Sequence, residues 1–153
     1  LRQKSDDELA RLLEPFAPAS AKSSQITIKE TIPLVKERIT KLSDYTELAK
    51  VFFEAPKQID PKIFTPFAKD TIPASLATIS RMKPGQFTAN NLGQEFKKDI
   101  ERLAVSTGDF YMDLRGTISG SKITPPINET IETIGQQEAK QRIQNSIDSL
   151  KSK

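Results

Sequence analysis

The run Leu114-Arg115-Gly116-Thr117-Ile118-Ser119-Gly120 sets one arginine in a glycine-punctuated stretch. Thr124-Pro125-Pro126-Ile127 follows, then Gly135 and Arg142. A guanidinium is a planar fork of donors, so a stiff turn can hold it against a planar, hydrogen-bonding ligand such as a nucleobase. A second arginine, Arg38, lies between Val35 and Ile39. On a helix its forward neighbours are Lys41 and Leu42, so no local acid claims it. Phe110 and Tyr111 precede Arg115 and are the aromatic side chains best placed to stack on an exposed base. Each residue also has an ordinary structural use. Arg38 can form a surface ion pair, and Arg115 can cap the carbonyls of a preceding helix. Thr124-Pro125-Pro126 can simply start a helix, with Thr as N-cap and Pro in the first turn. Arg142 can lay its stem over apolar surface. Phe52, Phe53, Phe64, Phe67 and Phe96 fall on apolar stripes and read as core.

Catalysis is a poor fit to this chain. Its 153 residues contain no histidine and no cysteine, which removes the commonest general base, the commonest metal ligand and any disulfide framework. There is no Gly-rich phosphate loop and no nucleophile elbow. No catalytic residue and no metal site is expected. The net charge of +3 leans weakly towards an anionic partner. No apolar run is long enough to span a bilayer and no signal peptide opens the chain, so a cytoplasmic protein without membrane contact is expected. The first residue is Leu1 rather than methionine, as expected of a piece of a longer protein.

The elements that must position these residues all read as helices. Ser5-Asp6-Asp7-Glu8 is a capping-box start for a helix carrying Leu9, Leu12, Leu13 and Phe16. A second helix is predicted from Thr27 to Leu42, kinked or delayed by Pro33. A third starts at Ser43-Asp44 and is stopped by Pro56. A short helix carries Ile63, Phe64 and Phe67, and another runs from Ile72 to Met82. Thr88 caps a longer one reaching about Thr107, with Gly108 at its C′ position. Phe110 to Gly120 is a short helix or turn. The last two helices run from Thr124 to Gly135 and from Gln136 onward. The fold class is therefore all-α. A soft boundary between Pro56 and Pro61 divides it into two small packed helical subdomains, residues 1–57 and 58–153.

Taken in order, these segments resemble the C-terminal end of bacterial-type glutamyl-tRNA synthetases. The resemblance rests on the opening Leu1-Arg2, Ser5-x-x-Glu8-Leu9 and Pro15-Phe16, on Val35 to Asp44 followed by Val51-Phe52-Phe53, and on the tail motif above. It implies a helical anticodon-binding region and a tRNA partner, specifically the anticodon loop of glutamate tRNA, bound by a monomer. ATP and Mg2+ would serve only the parent enzyme, because the family's His-x-Gly-His and Lys-x-Ser-Lys signatures are absent here. By the same resemblance, Arg38 faces the third anticodon base and favours cytosine over guanine, because a fork of donors suits an acceptor edge. Arg115 would face an earlier base, while Thr124, Pro125 and Ile127 would receive a splayed-out one. The family usually has proline where this chain has Asp113, an acid able either to hold Arg115 away from RNA or to orient it. Two alternatives stay open: a non-discriminating synthetase that also charges glutamine tRNA, and a helical protein-protein scaffold without an RNA role.

Overall fold

The computed structural model describes residues 3–151. Leu1 and Arg2, which open the N-terminal pattern, lie outside the described residues. Within them the regular structure is entirely helical. The helices are α1 (Asp6–Leu13), α2 (Ile28–Val35), α3 (Asp44–Leu48), α4 (Lys50–Phe53), α5 (Ala68–Arg81), α6 (Ala89–Leu103), α7 (Thr107–Ser119), α8 (Ile127–Ile134) and α9 (Gln136–Lys151). Single 3-10 turns at Glu14–Phe16, Ala19–Ser23, Pro61–Ile63 and Pro84–Gln86 join some of them.

Side-chain caps begin most of the longer helices. The Ser5 hydroxyl accepts from the Glu8 amide at 3.2 Å. The reciprocal box stands at Thr27, where Glu30 N donates to Thr27 Oγ1 at 3.2 Å and Thr27 N donates to Glu30 Oε1 at 3.1 Å. Thr88 and Ser106 cap α6 and α7. The expected helix from Thr27 to Leu42 ends instead at Val35, two residues after Pro33. Proline removes one ladder donor, and the following turns are closed from outside, by Asp44. Gly108 is not a C′ residue: Ala104 takes the left-handed conformation at φ 57° and ends α6, while Gly108 lies inside α7. The expected helix through Ile63 and Phe67 is one 3-10 turn, and α5 then runs from Ala68 across the exposed Pro73.

Helix α5 is the hub, packing against α6, α7 and α9. Its polar positions fix its neighbours: Thr78 donates to the buried Asp99 of α6, and Thr71 to the buried Asp113 of α7 at 2.6 Å. Gln136 Nε2 donates to the carbonyls of Ile79 and Met82, both at 2.8 Å, and so satisfies the end of α5. Around these bonds Ile72, Ile79, Phe96, Phe110, Leu114, Ile118 and Ile143 are buried. Each contributes roughly 1.5–3 kcal/mol of apolar burial. Helix α1 lies on α2, and both α2 and α4 rest on α8. Leu9, Leu13, Ile32, Val35 and Phe52 thereby join the same buried cluster.

Candidate nucleic-acid interface

An open groove of about 860 Å³ runs between the segment 38–58 and the loop that follows α7. Arg38, Lys41, Lys50 and Lys57 lie along one side, with Asp44, Glu47 and Glu54 among them. Ser119, Gly120, Ser121 and Ile123 form the other.

The first wall is made of short turns. Arg38 sits in the turn just beyond α2, not on a helix face, and its amide donates to Val35 O at 2.8 Å. The Asp44 carboxylate accepts from Thr40 N at 3.0 Å, Thr40 Oγ1 at 3.1 Å and Lys41 N at 3.2 Å. The Thr40 amide first, then the Lys41 amide, hold the Asp44 carboxyl below its ordinary value. The turn is therefore latched whenever that carboxyl is ionised. Arg38 is exposed, and no carboxylate among the described residues engages its guanidinium.

The second wall grows from the C-terminus of α7. Gly120 takes φ 71°, and a Cβ there would stand 3.0 Å from Pro56 Cβ, so glycine both turns the chain and lets the two walls touch. Serine hydroxyls fold the loop beyond. Ser119 Oγ donates to Arg115 O at 2.8 Å and accepts from Ser121 N at 3.0 Å, while Ser121 Oγ accepts from Ile123 N at 3.1 Å. The loop thereby presents Ile123, an aliphatic side chain 80% exposed, at the groove.

Arg115 is not in a sharp turn. It lies within α7, half-buried, with Cζ 5.9 Å from the centroid of the Tyr111 ring. It is one helical turn behind Ser119 on the same face and is not among the residues lining the groove. The glycine after it does not break the helix because it serves packing: a Cβ on Gly116 would stand 2.6 Å from Phe64 Cε1. Asp113 does not pair with Arg115. It is fully buried and accepts from Thr65 N at 2.7 Å, Thr65 Oγ1 at 2.7 Å and Thr71 Oγ1 at 2.6 Å.

The other expected contact residues lie deeper. Phe110 is 1% exposed and packs on Phe96 at 5.4 Å between centroids, so no base can stack on it without opening the core. Tyr111 is half-buried, and its hydroxyl accepts from Asn128 Nδ2 at 3.0 Å. Pro125 and Ile127 are buried at the start of α8. Thr124 is buried too, and its hydroxyl neither caps α8 nor finds another partner among the described residues. Arg142 differs most from expectation, because its guanidinium is enclosed along with its stem. Nε donates to Glu138 Oε1 at 3.0 Å, and Nη1 donates to Val51 O at 2.8 Å and Ile118 O at 2.9 Å. Burial pushes this guanidinium below the ordinary arginine value, with Glu138 opposing the shift.

Lys50, Lys57 and Ile123 were missed by sequence reasoning. Ile123 left one signal, a lone aliphatic between the turn residues Gly120 and Thr124. Arg142 left another, since position 142 lies on the face of α9 that buries Ala139, Ile143 and Ser146.

Among the described residues no three His, Cys, Asp or Glu side chains converge as a metal site, and no helix is long and apolar enough to cross a membrane. A family profile described as an anticodon binding domain matches residues 8–147. The chain is 27% identical to a glutamate–tRNA ligase of Treponema denticola, over 96% of this chain and 35% of that protein. It is 29% identical to glutamate–tRNA ligase 1 of Fervidobacterium nodosum, over 94% of this chain and 29% of that one. A crystal structure of a glutamate tRNA ligase from Elizabethkingia meningosepticum, in complex with its amino acid, superposes with a TM-score of 0.81 at 23% identity. That match covers 96% of this chain and 30% of the other. The chain thus spans about a third of the length of these relatives.

Proposed function

Since the chain belongs to the anticodon-binding domain family, we propose that it is the anticodon-reading, C-terminal part of a glutamate–tRNA ligase. In this reading the protein is monomeric and cytoplasmic, and its missing N-terminal part attaches glutamate to tRNA with ATP and Mg2+. Among the described residues no group of three His, Cys, Asp or Glu side chains could hold that metal, which in this reading binds in the N-terminal part.

The observation that carries the reading is the exposed guanidinium of Arg38, which has no carboxylate partner among the described residues and lines the same groove as the serine-folded loop of the second wall. Arg38 donates to the acceptor edge of a cytosine at the third anticodon position and meets a guanine with mismatched donors. Lys50 and Lys57 take the phosphates on either side. Ile123 packs on the face of a base. Arg115, stiffened by the Tyr111 ring, reaches an earlier base from α7. Thr124 brings its unpartnered hydroxyl near the entry to α8, while Pro125 and Ile127 shape that site from within the core. Binding spent at the anticodon appears in the rate at the distant acceptor end.

The test is titration of this chain with the anticodon stem-loop of a glutamate tRNA, beginning at low salt. Affinity is expected to fall linearly in log–log form, by roughly 0.7 per phosphate engaged. A folded chain that leaves the stem-loop unbound at low salt would return the protein to the scaffold reading.

A further inference from the structure

The two walls of the groove are far apart in sequence, yet one nitrogen joins them. Arg142 Nη1 donates both to Val51 O, near the end of α4, and to Ile118 O, in the last turn of α7. Carbonyls at these positions have no partner inside their own helices and carry the negative end of the helix dipole. A buried cation between two such ends satisfies both at once. Val51 leads directly into the segment 54–58, and Ile118 directly into Ser119, Gly120 and Ile123. Where those continuations meet, a Cβ on Gly120 would stand 3.0 Å from Pro56 Cβ, so any side chain there would push on the Pro56 ring. The spacing of the groove is therefore set at two points: the close approach of Gly120 to the Pro56 ring at its rim and the guanidinium beneath.

We propose that Arg142 is the positioning residue of this groove, holding the Arg38 wall and the Ile123 wall at the separation that base discrimination requires. This rests on the anticodon reading above. Arg142 is 3% exposed, so it acts through the two carbonyls and not on RNA. A planar fork bonds two acceptors in fixed directions, which a lysine ammonium, a compact point donor on a flexible stem, does not reproduce. The Glu138 pair is secondary, because that carboxylate is half exposed.

Two readouts test this, and the first needs no RNA. The chain contains no cysteine, so Glu47→Cys with Lys122→Cys places one spin label on each wall. The wild-type background should give one narrow distance distribution. Arg142→Met and Arg142→Lys should each broaden it, and Glu138→Gln should leave it narrow. The second readout, on unlabelled protein, is the ratio of affinities for the stem-loop with C and with G at the third anticodon position, taken well below each variant's melting temperature. Both Arg142 variants should lose about tenfold of that preference and keep the wild-type salt slope, because no phosphate contact is removed. If Arg142→Met does not fold, Arg142→Lys carries both measurements. An unchanged distance distribution in the Arg142 variants overturns the proposal, as does full C-over-G preference in a variant that is merely less stable. If the wild type binds both loops alike, Arg38 does not read the third base, and the label distances alone decide whether Arg142 sets the groove; if it binds neither at low salt, the anticodon reading fails.

Discussion

Asp44 and Asp113 each hold one wall of the groove, and each does so by accepting three hydrogen bonds. For Asp44 the donors are Thr40 N, Thr40 Oγ1 and Lys41 N, all within four residues and at the surface. For Asp113, itself inside the core, they are Thr65 N, Thr65 Oγ1 and the buried Thr71 Oγ1, 42 to 48 residues away. The chemistry is the same and the consequences differ. Asp113 ties α7 to α5 and the segment before it, so the second wall is as firm as the core. Asp44 only latches a turn, so the first wall keeps the Arg38 guanidinium in solvent at little cost to the fold. A groove built this way pairs a fixed edge with a locally shaped one.

That contrast can be broken at several points. The largest effect should come from Asp113→Ala, which leaves three donors without their acceptor. Urea denaturation should show a loss of about 3 kcal/mol, and a loss under about 1 kcal/mol would mean that the second wall is not core-anchored. Gly120→Ala should come next, at roughly 1–2 kcal/mol for the left-handed backbone alone, with added strain from Pro56 at 3.0 Å. The same denaturation checks it, and a neutral result would show that the walls do not touch in solution.

The Asp44 latch should show chiefly in pH dependence, with a share of global stability smaller than that of Asp113. Its folded carboxyl titrates below the ordinary value of 3.8 because the Thr40 and Lys41 amides favour the anion. Its contribution is therefore complete above that ordinary value and is lost as pH falls through the depressed one. The Thr40 and Lys41 amide resonances should shift together below pH 3.8 and stay constant between about pH 5 and 8. An inflection at or above the ordinary carboxylate value would remove the latch. The smallest stability effect belongs to Arg38→Ala, expected within about 0.5 kcal/mol of wild type; a larger loss would show that Arg38 is structural.

The longer helices were legible because their stripes are regular. Leu92, Phe96, Ile100 and Leu103 outline α6, and Ile127, Ile131 and Ile134 outline α8. The site was less legible, for local reasons. Gly116 after Arg115 reads as a breaker, but only the fold shows Phe64 occupying the space beside it. Ala104 ends α6 with no glycine to announce it. There Val105 N donates to Ile100 O at 3.3 Å, and the partly buried Val105 packs against the core. The turns after Val35 are closed by Asp44, nine positions further on, which periodicity does not register. Arg38 was singled out by the family resemblance together with its lack of a local acid, and the structure gives it an exposed place on the groove. Arg142 was read only through its stem because two of its partners are main-chain carbonyls; its place on the buried face of α9, beside Ala139 and Ile143, was the one trace of them in the sequence.

The most direct test of the account is a double-mutant cycle between Arg38 and the third anticodon base. It takes four affinities: wild type and Arg38→Ala, each with the C-bearing and the G-bearing stem-loop. The account predicts a coupling of about 1–3 kcal/mol, with wild type preferring C and Arg38→Ala binding both loops alike. A coupling of zero, with Arg38→Ala weakening both loops equally, would make Arg38 a phosphate contact and contradict the claim that it reads the base.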